Sequence, residues 1–581
     1  MEKNRWLNKR KSSEKLQGYL IAAGMTGIFM VMLAIFFDYY YCMNDDVTMR
    51  DILSGAYTGK PEGRNIQMLY PVGALISLLY RVASSVPWYG LFLCGCQFGS
   101  IYLICCRAAG FVKAAWKKTV IAFITVFVAG AALLYELVFV QYTMTCAMLM
   151  AAAVFWFYTS DNTKSAAGFL KENAVSIVLT VLAFLIRTEM ALLLFPFLLV
   201  AGLCKWTKEE KVFTKGNFIK YLGVIGSVLL CMGMALLINK AAYGSKEWRR
   251  FDHFFDYRTE IYDFLGYPIY EGNEEFYDCL GLKAQEAELI GNYNFALDEN
   301  IDEKVMEEMV SYQKEQRGGS TLFLIKPSEA LWRYKHSLLS LEYMPYNALV
   351  MFLYLLLGFA AIGNRDKSYF WRLPLLVLAR SVCWMYIIFR NRTPERITHG
   401  LFLMETVLLL AMLAMEWRKE RVGKITVSAI VCMIVVLSFP AIWNKAETEN
   451  AHRNEVNREW FLLLEYFKEN QENFYVIDVY STVVYTEKMF AGADSSYRNF
   501  DLCGGWTAKS PVYREKAALR EVEDLERDLV EKEHVYFVSK ANRDVGWLQE
   551  YYAAKGREIQ IETAEEIVVN GEVRFVIYSL L

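Results

Sequence analysis

Asn44-Asp45-Asp46 is the triplet in this chain best suited to chemistry. It follows directly on the first long apolar run, and two adjacent carboxylates have no structural need to sit at a bilayer surface. A carboxylate placed there can take the proton of an incoming hydroxyl, which is general-base work. We read Asp45 as that base, with Asp46 assisting or placing the acceptor; the reverse order serves the same chemistry. The bland alternative is a solvated loop turn. Asp51, further along, reads as a solvated helix residue on a short helix from Val47 to Leu53, broken by Gly55, Gly59 and Pro61.

A second cluster, Arg390-Asn391-Arg392-Thr393-Pro394-Glu395-Arg396, lies in a turn between two apolar segments. Planar guanidinium groups grip phosphate oxygens in a two-pronged way, which makes Arg390, Arg392 and Arg396 candidates for holding a phosphate. The competing reading is interfacial snorkelling or pairing with Glu395 and acidic loops. Arg187-Thr188-Glu189 forms another such turn, where an ion pair between Arg187 and Glu189 competes with a substrate role. Glu136, followed by Gln141 and Tyr142, has the same ambiguity. Trp248, His253, Arg258 and Asp263 are candidates for a sugar pocket, since aromatic rings stack on sugar faces and carboxylates accept hydroxyls. An ordinary folded cap needs the same aromatics. His399 opens an apolar segment and is assigned no metal.

Composition decides what must position these groups. With 581 residues, 55% hydrophobic and 15% aromatic, and a positive mean hydropathy, the chain repeatedly supplies stretches of bilayer length and reads as a polytopic α-helical membrane protein. The net charge of -2 excludes little, because its distribution matters more than its sum. Most of the twelve cysteines fall in apolar stretches without histidines at ligand spacing, and read as small buried hydrophobes. No P-loop, GxGxxG, HExxH or GxSxG motif sits in a credible strand and helix context.

Lys3, Arg5, Lys9, Arg10, Lys11 and Lys15 precede an apolar run from Gly18 to Phe37 that is too long and too late for a cleaved signal. This predicts a cytoplasmic N-terminus over residues 1–17 and a retained first span. Met68–Val82 is short and holds Pro71 and Arg81, so it reads as a helix lying at the interface. Further spans are expected at Trp88–Cys106, Thr119–Tyr135, Thr143–Thr159, Ala174–Ile186, Met190–Cys204, Phe218–Ile238, Tyr346–Ile362, Leu373–Phe389, His399–Met415 and Ile425–Trp443. Alternate loops are then basic: Arg107, Lys113, Lys117 and Lys118; Lys164 and Lys171; Lys205, Lys208, Lys211 and Lys215; Arg365, Lys367 and Arg372; Arg418, Lys419, Arg421 and Lys424. That gives about eleven transmembrane helices over residues 18–443, with ionisable groups gathered at the outer edge. An outer loop is expected over 38–87, a helical, aromatic and acidic outer cap over 239–345, and an outer C-terminal α/β domain over 444–581. In that domain Phe474–Val479, His534–Ser539, Arg557–Glu562 and Arg574–Leu580 read as strands, and Val512–Glu533 and Val545–Lys555 as helices.

An acidic first outer loop carrying Asp45-Asp46, a following juxtamembrane helix, a polytopic body, arginines in a late outer turn and a C-terminal outer domain together resemble the GT-C superfamily of membrane glycosyltransferases. The resemblance covers about Gly18 to Trp443 in architecture, and its one short motif match is Asp45-Asp46. It implies transfer of a sugar from a polyprenyl-phosphate donor to an extracytoplasmic glycan, lipid or protein, with an acidic residue of the first outer loop as base. Members often carry Asp-Glu or Asp-x-Asp there, so Asp-Asp leaves the base between Asp45 and Asp46. Some members use a divalent cation, Mg or Mn. The residues fit this chemistry independently: a base for the acceptor, cations for the departing phosphate and an apolar groove for the tail. The implied location is the plasma membrane, with the C-terminal domain extracytoplasmic; membrane lipid is a partner and nucleic acid is not. The rival classes are a transporter or flippase of lipid-linked saccharide, which places ionisable residues near span centres, and a non-catalytic membrane protein with a wall-binding outer domain.

Overall fold

Apolar length fixes the membrane part. The computed structural model describes residues 2–318, 323–363, 366–416, 423–491 and 498–581; Arg365, Arg418, Lys419 and Arg421 lie outside the described residues. Among those described, nine helices are long and apolar enough to cross a membrane: α1 (Glu2–Phe36), α4 (Trp88–Ala109), α5 (Ala115–Ala132), α8 (Ala166–Ile186), α9 (Thr188–Trp206), α10 (Lys215–Ala242), α16 (Tyr346–Gly363), α17 (Tyr369–Phe389) and α18 (Glu395–Glu416). The other two expected spans take different forms. α7 (Tyr142–Tyr158) has 17 residues, all buried except Trp156, and packs against α4, α8, α9 and α18. A helix enclosed on every side has no lipid face and needs no amphipathic period. α19 (Gly423–Glu469) is a single helix of 47 residues. The expected end at Trp443 is therefore corrected: residues 444–469 contain no glycine or proline and are rich in helix formers, so nothing stops the helix at the bilayer boundary.

Charge sorts the ends of the bundle. Arg107 donates to the Thr159 carbonyl (2.6 Å) and pairs with Glu172 (2.9 Å). Lys205 donates to the carbonyls of Tyr158 and Ser160 (2.9 and 2.7 Å), and Lys208 pairs with Glu416. The ends of α4, α7, α8, α9 and α18 thus gather on one side with Arg107, Lys205 and Lys208, and the turns holding Arg187 and Arg390–Arg396 lie at the other. α2 (Asn44–Ser54) and α3 (Tyr70–Val82) also belong to that other end, and Leu75, Leu78 and Val82 form an exposed apolar stripe on α3. Such a stripe suits a helix lying in the interface. One expectation fails inside the bundle. Arg380 and Glu405 are ion-paired and buried near the midpoints of α17 and α18, with the Tyr354 hydroxyl of α16 donating to Glu405 at 2.8 Å, so ionisable groups are not confined to the outer edge. Each charge answers the other, and the cluster ties three helices together.

The cap comprises α11 (Lys246–Glu260), α12 (Glu274–Leu280), α13 (Ala284–Gly291), α14 (Glu303–Gln316) and α15 (Pro327–Leu339). Beyond α19 a five-stranded sheet forms from β3 (Phe474–Ile477), β4 (Phe500–Leu502), β5 (Val535–Lys540), β6 (Ile561–Val569) and β7 (Glu572–Leu580), in the order β4-β3-β5-β7-β6. β4, β3 and β5 are parallel; β7 is antiparallel to both β5 and β6. Trp460, Leu463, Leu464 and Phe467 of α19 cover one face. On the other face Phe474, Val476 and Phe537 join one core with Phe254, Phe295 and Met306 of the cap and Ile52 and Tyr57 near the end of α2. Cap and C-terminal unit therefore share a core.

Several sequence readings of the region beyond α19 need correction. The strand expected at Arg557–Glu562 begins only at Ile561 and runs to Val569, turning into β7 through Asn570-Gly571, both at positive φ. Asn-Gly is the dipeptide that a two-residue hairpin favours. The single helix expected over Val512–Glu533 is two, α20 (Pro511–Ala518) and α21 (Leu525–Glu531), because Asp524 caps the second by accepting from the Arg527 amide at 3.1 Å. The helix expected over Val545–Lys555 is α22 (Gly546–Ala554). A two-stranded parallel pair, β1 (Tyr40–Tyr41) and β2 (Phe139–Val140), was too short to show a period.

Gly504 marks where the sheet unit meets the cap. The Ala296 amide donates to the Cys503 carbonyl at 2.9 Å, and a Cβ on Gly504 would collide with the Tyr293 carbonyl oxygen. Backbone on both sides leaves no side chain to swing away. Gly504→Ala is expected to cost about 1–3 kcal/mol as overpacking does, seen as a lowered Tm in a thermal melt; an unchanged Tm would contradict this docking.

Candidate active site

α2 starts at Asn44, earlier than the expected Val47, so Asp45 and Asp46 lie in its first turn, where carboxylates complement the helix dipole. It ends at Gly55, whose φ of 88° is a left-handed cap. Consecutive residues on a helix diverge by roughly 100°, and here that divergence separates the two aspartates. Asp46 turns into the core, is 0% exposed and accepts from the Tyr89 hydroxyl at 2.7 Å. Burial pushes its carboxyl well above the usual range. Asp45 instead lines a cavity of about 640 Å³.

Besides Arg498 on its far wall, four arginines share that cavity with Asp45: Arg187, Arg258, Arg392 and Arg396. Arg187 pairs with Glu189 (3.0 Å) and donates to Gln67 (2.7 Å), which bears out an ion pair in this turn. Arg392 pairs with Asp263 at 2.9 Å. The other two lack an ion-pair partner among the described residues. Arg258 bonds to the Tyr293 hydroxyl and to Thr259 at 3.2 Å, and Arg396 directs Nη1 at the Met43 sulfur, 3.2 Å away.

Other expected site residues lie elsewhere. Arg390 stacks over Phe264 at 3.7 Å and pairs with Glu260 at 3.5 Å, outside the cavity wall. Glu136 is held by His399 Nδ1 at 2.5 Å and the Tyr346 hydroxyl at 3.4 Å, away from Asp45. Trp248 is buried in the cap core and His253 is exposed, so of the expected sugar pocket only Arg258 and Asp263 face the cavity. Asp51 is not solvated: it is buried, pairing with Arg50 (2.7 Å) and Arg498 (3.1 Å), because the C-terminal unit closes over α2.

No protein-family model matches the sequence, and no curated protein matches it. Among solved structures, the crystal structure of ArnT from Cupriavidus metallidurans bound to undecaprenyl phosphate is similar at a TM-score of 0.38 and 10% identity, covering 96% of this chain and 97% of that one.

The far wall of the cavity escaped the sequence reading altogether. Tyr57, Glu487, Arg498, Asp501, Trp506 and Lys516 line it. Glu487 bridges Arg50 (2.7 Å) and Arg498 (3.1 Å), and the Tyr57 hydroxyl donates to Asp501 at 2.6 Å. Gly504-Gly505 was the local sign of a tight turn there, but nothing in the sequence aims it at Asp45.

Burial raises the Asp45 carboxyl above its ordinary value, while Arg396, Arg187 and Arg258 draw it back. A carboxylate raised in this way is a better base than a solvated aspartate, and the neighbouring guanidinium groups favour its ionised form. Among the described residues no three His, Cys, Asp or Glu side chains gather as a metal-ligand group. The cations that act on Asp45 itself are the guanidinium groups of Arg396, Arg187 and Arg258, whose charge opposes a metal ion beside that carboxylate.

Proposed function

We propose that this protein is a membrane glycosyltransferase that moves a sugar from a polyprenyl-phosphate carrier to an acceptor on the outer face of the plasma membrane. The observation that carries this reading is the meeting of Asp45 with Arg258 and Arg396, two guanidinium groups without ion-pair partners among the described residues, in one cavity at the bundle end opposite the basic turns. Unmatched positive charge beside a poised carboxylate suits an anionic leaving group beside a base.

In the reaction, the acceptor hydroxyl gives its proton to Asp45 Oδ as its oxygen attacks the anomeric carbon. The bond from that carbon to the phosphate oxygen breaks, its electron pair leaves on the phosphate, and configuration inverts. Polyprenyl phosphate departs with one more negative charge than it had as a diester, and Arg396 and Arg258 stabilise that increment. Asp46, buried against Tyr89, positions the turn that bears Asp45 and does not face the substrate. The positive-inside pattern supports a cytoplasmic N-terminus and an extracytoplasmic cavity.

Carrier binding tests the phosphate assignment. In nanodiscs, Arg396→Met is expected to weaken polyprenyl phosphate about tenfold or more, the worth of one charge-assisted hydrogen bond. Unchanged affinity in Arg396→Met would remove the phosphate from this cavity.

A further inference from the structure

The cavity extends well past Asp45. α2 runs along it, with Asp45, Thr48 and Asp51 on its wall, so the lining continues for roughly 9 Å of helix rise from Asp45 to Asp51. Beyond Asp51 the wall passes to Tyr57, Phe500, Asp501, Trp506 and Lys516. Volumes of about 300–1,000 Å³ accept ligands larger than one sugar ring, and this one is about 640 Å³.

The two ends differ in charge balance. Near Asp45, Arg258 and Arg396 have no ion-pair partner among the described residues. At the far end every charge has one: Arg50 and Arg498 are both shared by Asp51 and Glu487, and Lys516 faces Asp501 at 3.6 Å. An anion arriving there finds no unmatched cation. Hydrogen-bond donors are nonetheless available. Lys516 is 4% exposed and pairs with Asp501, which engages at most one or two of its three ammonium N–H groups. Its ammonium lies 4.1 Å from the Tyr57 ring centroid. Trp506, set on the turn that Gly504-Gly505 forms, is half-buried and lines the cavity; its indole N–H has no acceptor among the described residues. Donors with N–H groups to spare, on a wall rich in aromatic rings and with local charges cancelled, fit the hydroxyls and apolar face of a neutral sugar.

We infer that the far half of the cavity, between the end of α2 and residues Phe500–Lys516 of the C-terminal unit, is the acceptor subsite and binds an uncharged saccharide unit. This rests on the transfer reading of the same cavity. The ring of Trp506 packs on the sugar, and Lys516 and the Trp506 indole donate to its oxygens. The acceptor is thereby a glycan or a glycan-bearing lipid or protein, and its reactive hydroxyl reaches back along α2 to Asp45.

The test is binding of nanodisc-held protein to a printed panel of neutral and acidic glycans. Neutral glycans are expected to bind, and Trp506→Ala and Lys516→Met to weaken that binding at least tenfold. Trp506→Phe, which keeps a ring, guards against misfolding: it should recover part of the binding at an unchanged Tm. Binding to acidic glycans alone, to none, or with no dependence on Trp506 and Lys516 overturns the subsite. Sugar transfer that survives Asp45→Asn overturns the transfer reading instead, whatever the panel shows.

Discussion

Asp45→Asn is expected to lower kcat for sugar transfer by about 10²–10⁴-fold, the usual worth of a positioned general base, with the Tm essentially kept. The substitution is nearly isosteric and Asp45 lines a cavity, so no buried contact is lost. Asp46→Asn separates the two aspartates, because Asp46 accepts from Tyr89 inside the core; its effect should fall mainly on Tm. The pH profile gives a second readout. Asp45 must be ionised to accept a proton, and burial raises its carboxyl above the ordinary 3.8. Activity should therefore fall on acidification at a pH higher than a solvated aspartate would give, and that limb should vanish in Asp45→Asn. A variant that keeps wild-type kcat, or the reverse ranking of the two aspartates, would defeat the assignment.

The second large effect concerns the joint between α2 and the C-terminal unit. Glu487 is shared by Arg50 and Arg498, so Glu487→Gln leaves buried guanidinium charge uncompensated and is expected to cost roughly 3–5 kcal/mol. The pH dependence has a definite sign. Burial alone would raise this carboxyl, but Arg498 and Arg50 together outweigh it and hold Glu487 at about 2, against an ordinary 4.5. A depressed acid stabilises the fold above its unfolded value, and that contribution is lost as pH falls from 4.5 towards about 2. Wild-type stability should decline through this window, while Glu487→Gln should be less stable throughout and flatter there. Parallel curves for the two proteins would show that Glu487 does not latch the unit. If the joint also holds Asp45 in place, the variant loses transfer even when it remains folded.

Much of the membrane body was legible because its signals are local. Long apolar runs specify helices, and the basic turns at Arg107, Lys205 and Lys208 gather at one end as their alternation predicted. The convergence of Asp45 with Arg392 and Arg396 was likewise within reach, since both lie at turns on the same side of that alternation. Other features were present and misread. Asn570-Gly571 announces the β6–β7 hairpin, and the unbroken run of helix formers after Trp443 announces that α19 continues. The buried pair of Arg380 and Glu405 was visible as two charges in apolar segments, but only packing shows that they meet.

By itself, the sequence determined a polytopic helical body, the face on which its chemistry gathers, and the residue types available there. Those follow from hydrophobic length and charge sign, which each segment carries alone. The tertiary structure decided that Asp45 enters the cavity while Asp46 enters the core, that Asp51 is an ion-paired strut, and that Asp501, Trp506 and Lys516 face α2 from the far end of the chain. The rotation of a helix about its axis, and the docking of units separated by more than four hundred residues, are set by the summed packing of many side chains; no local pattern encodes them.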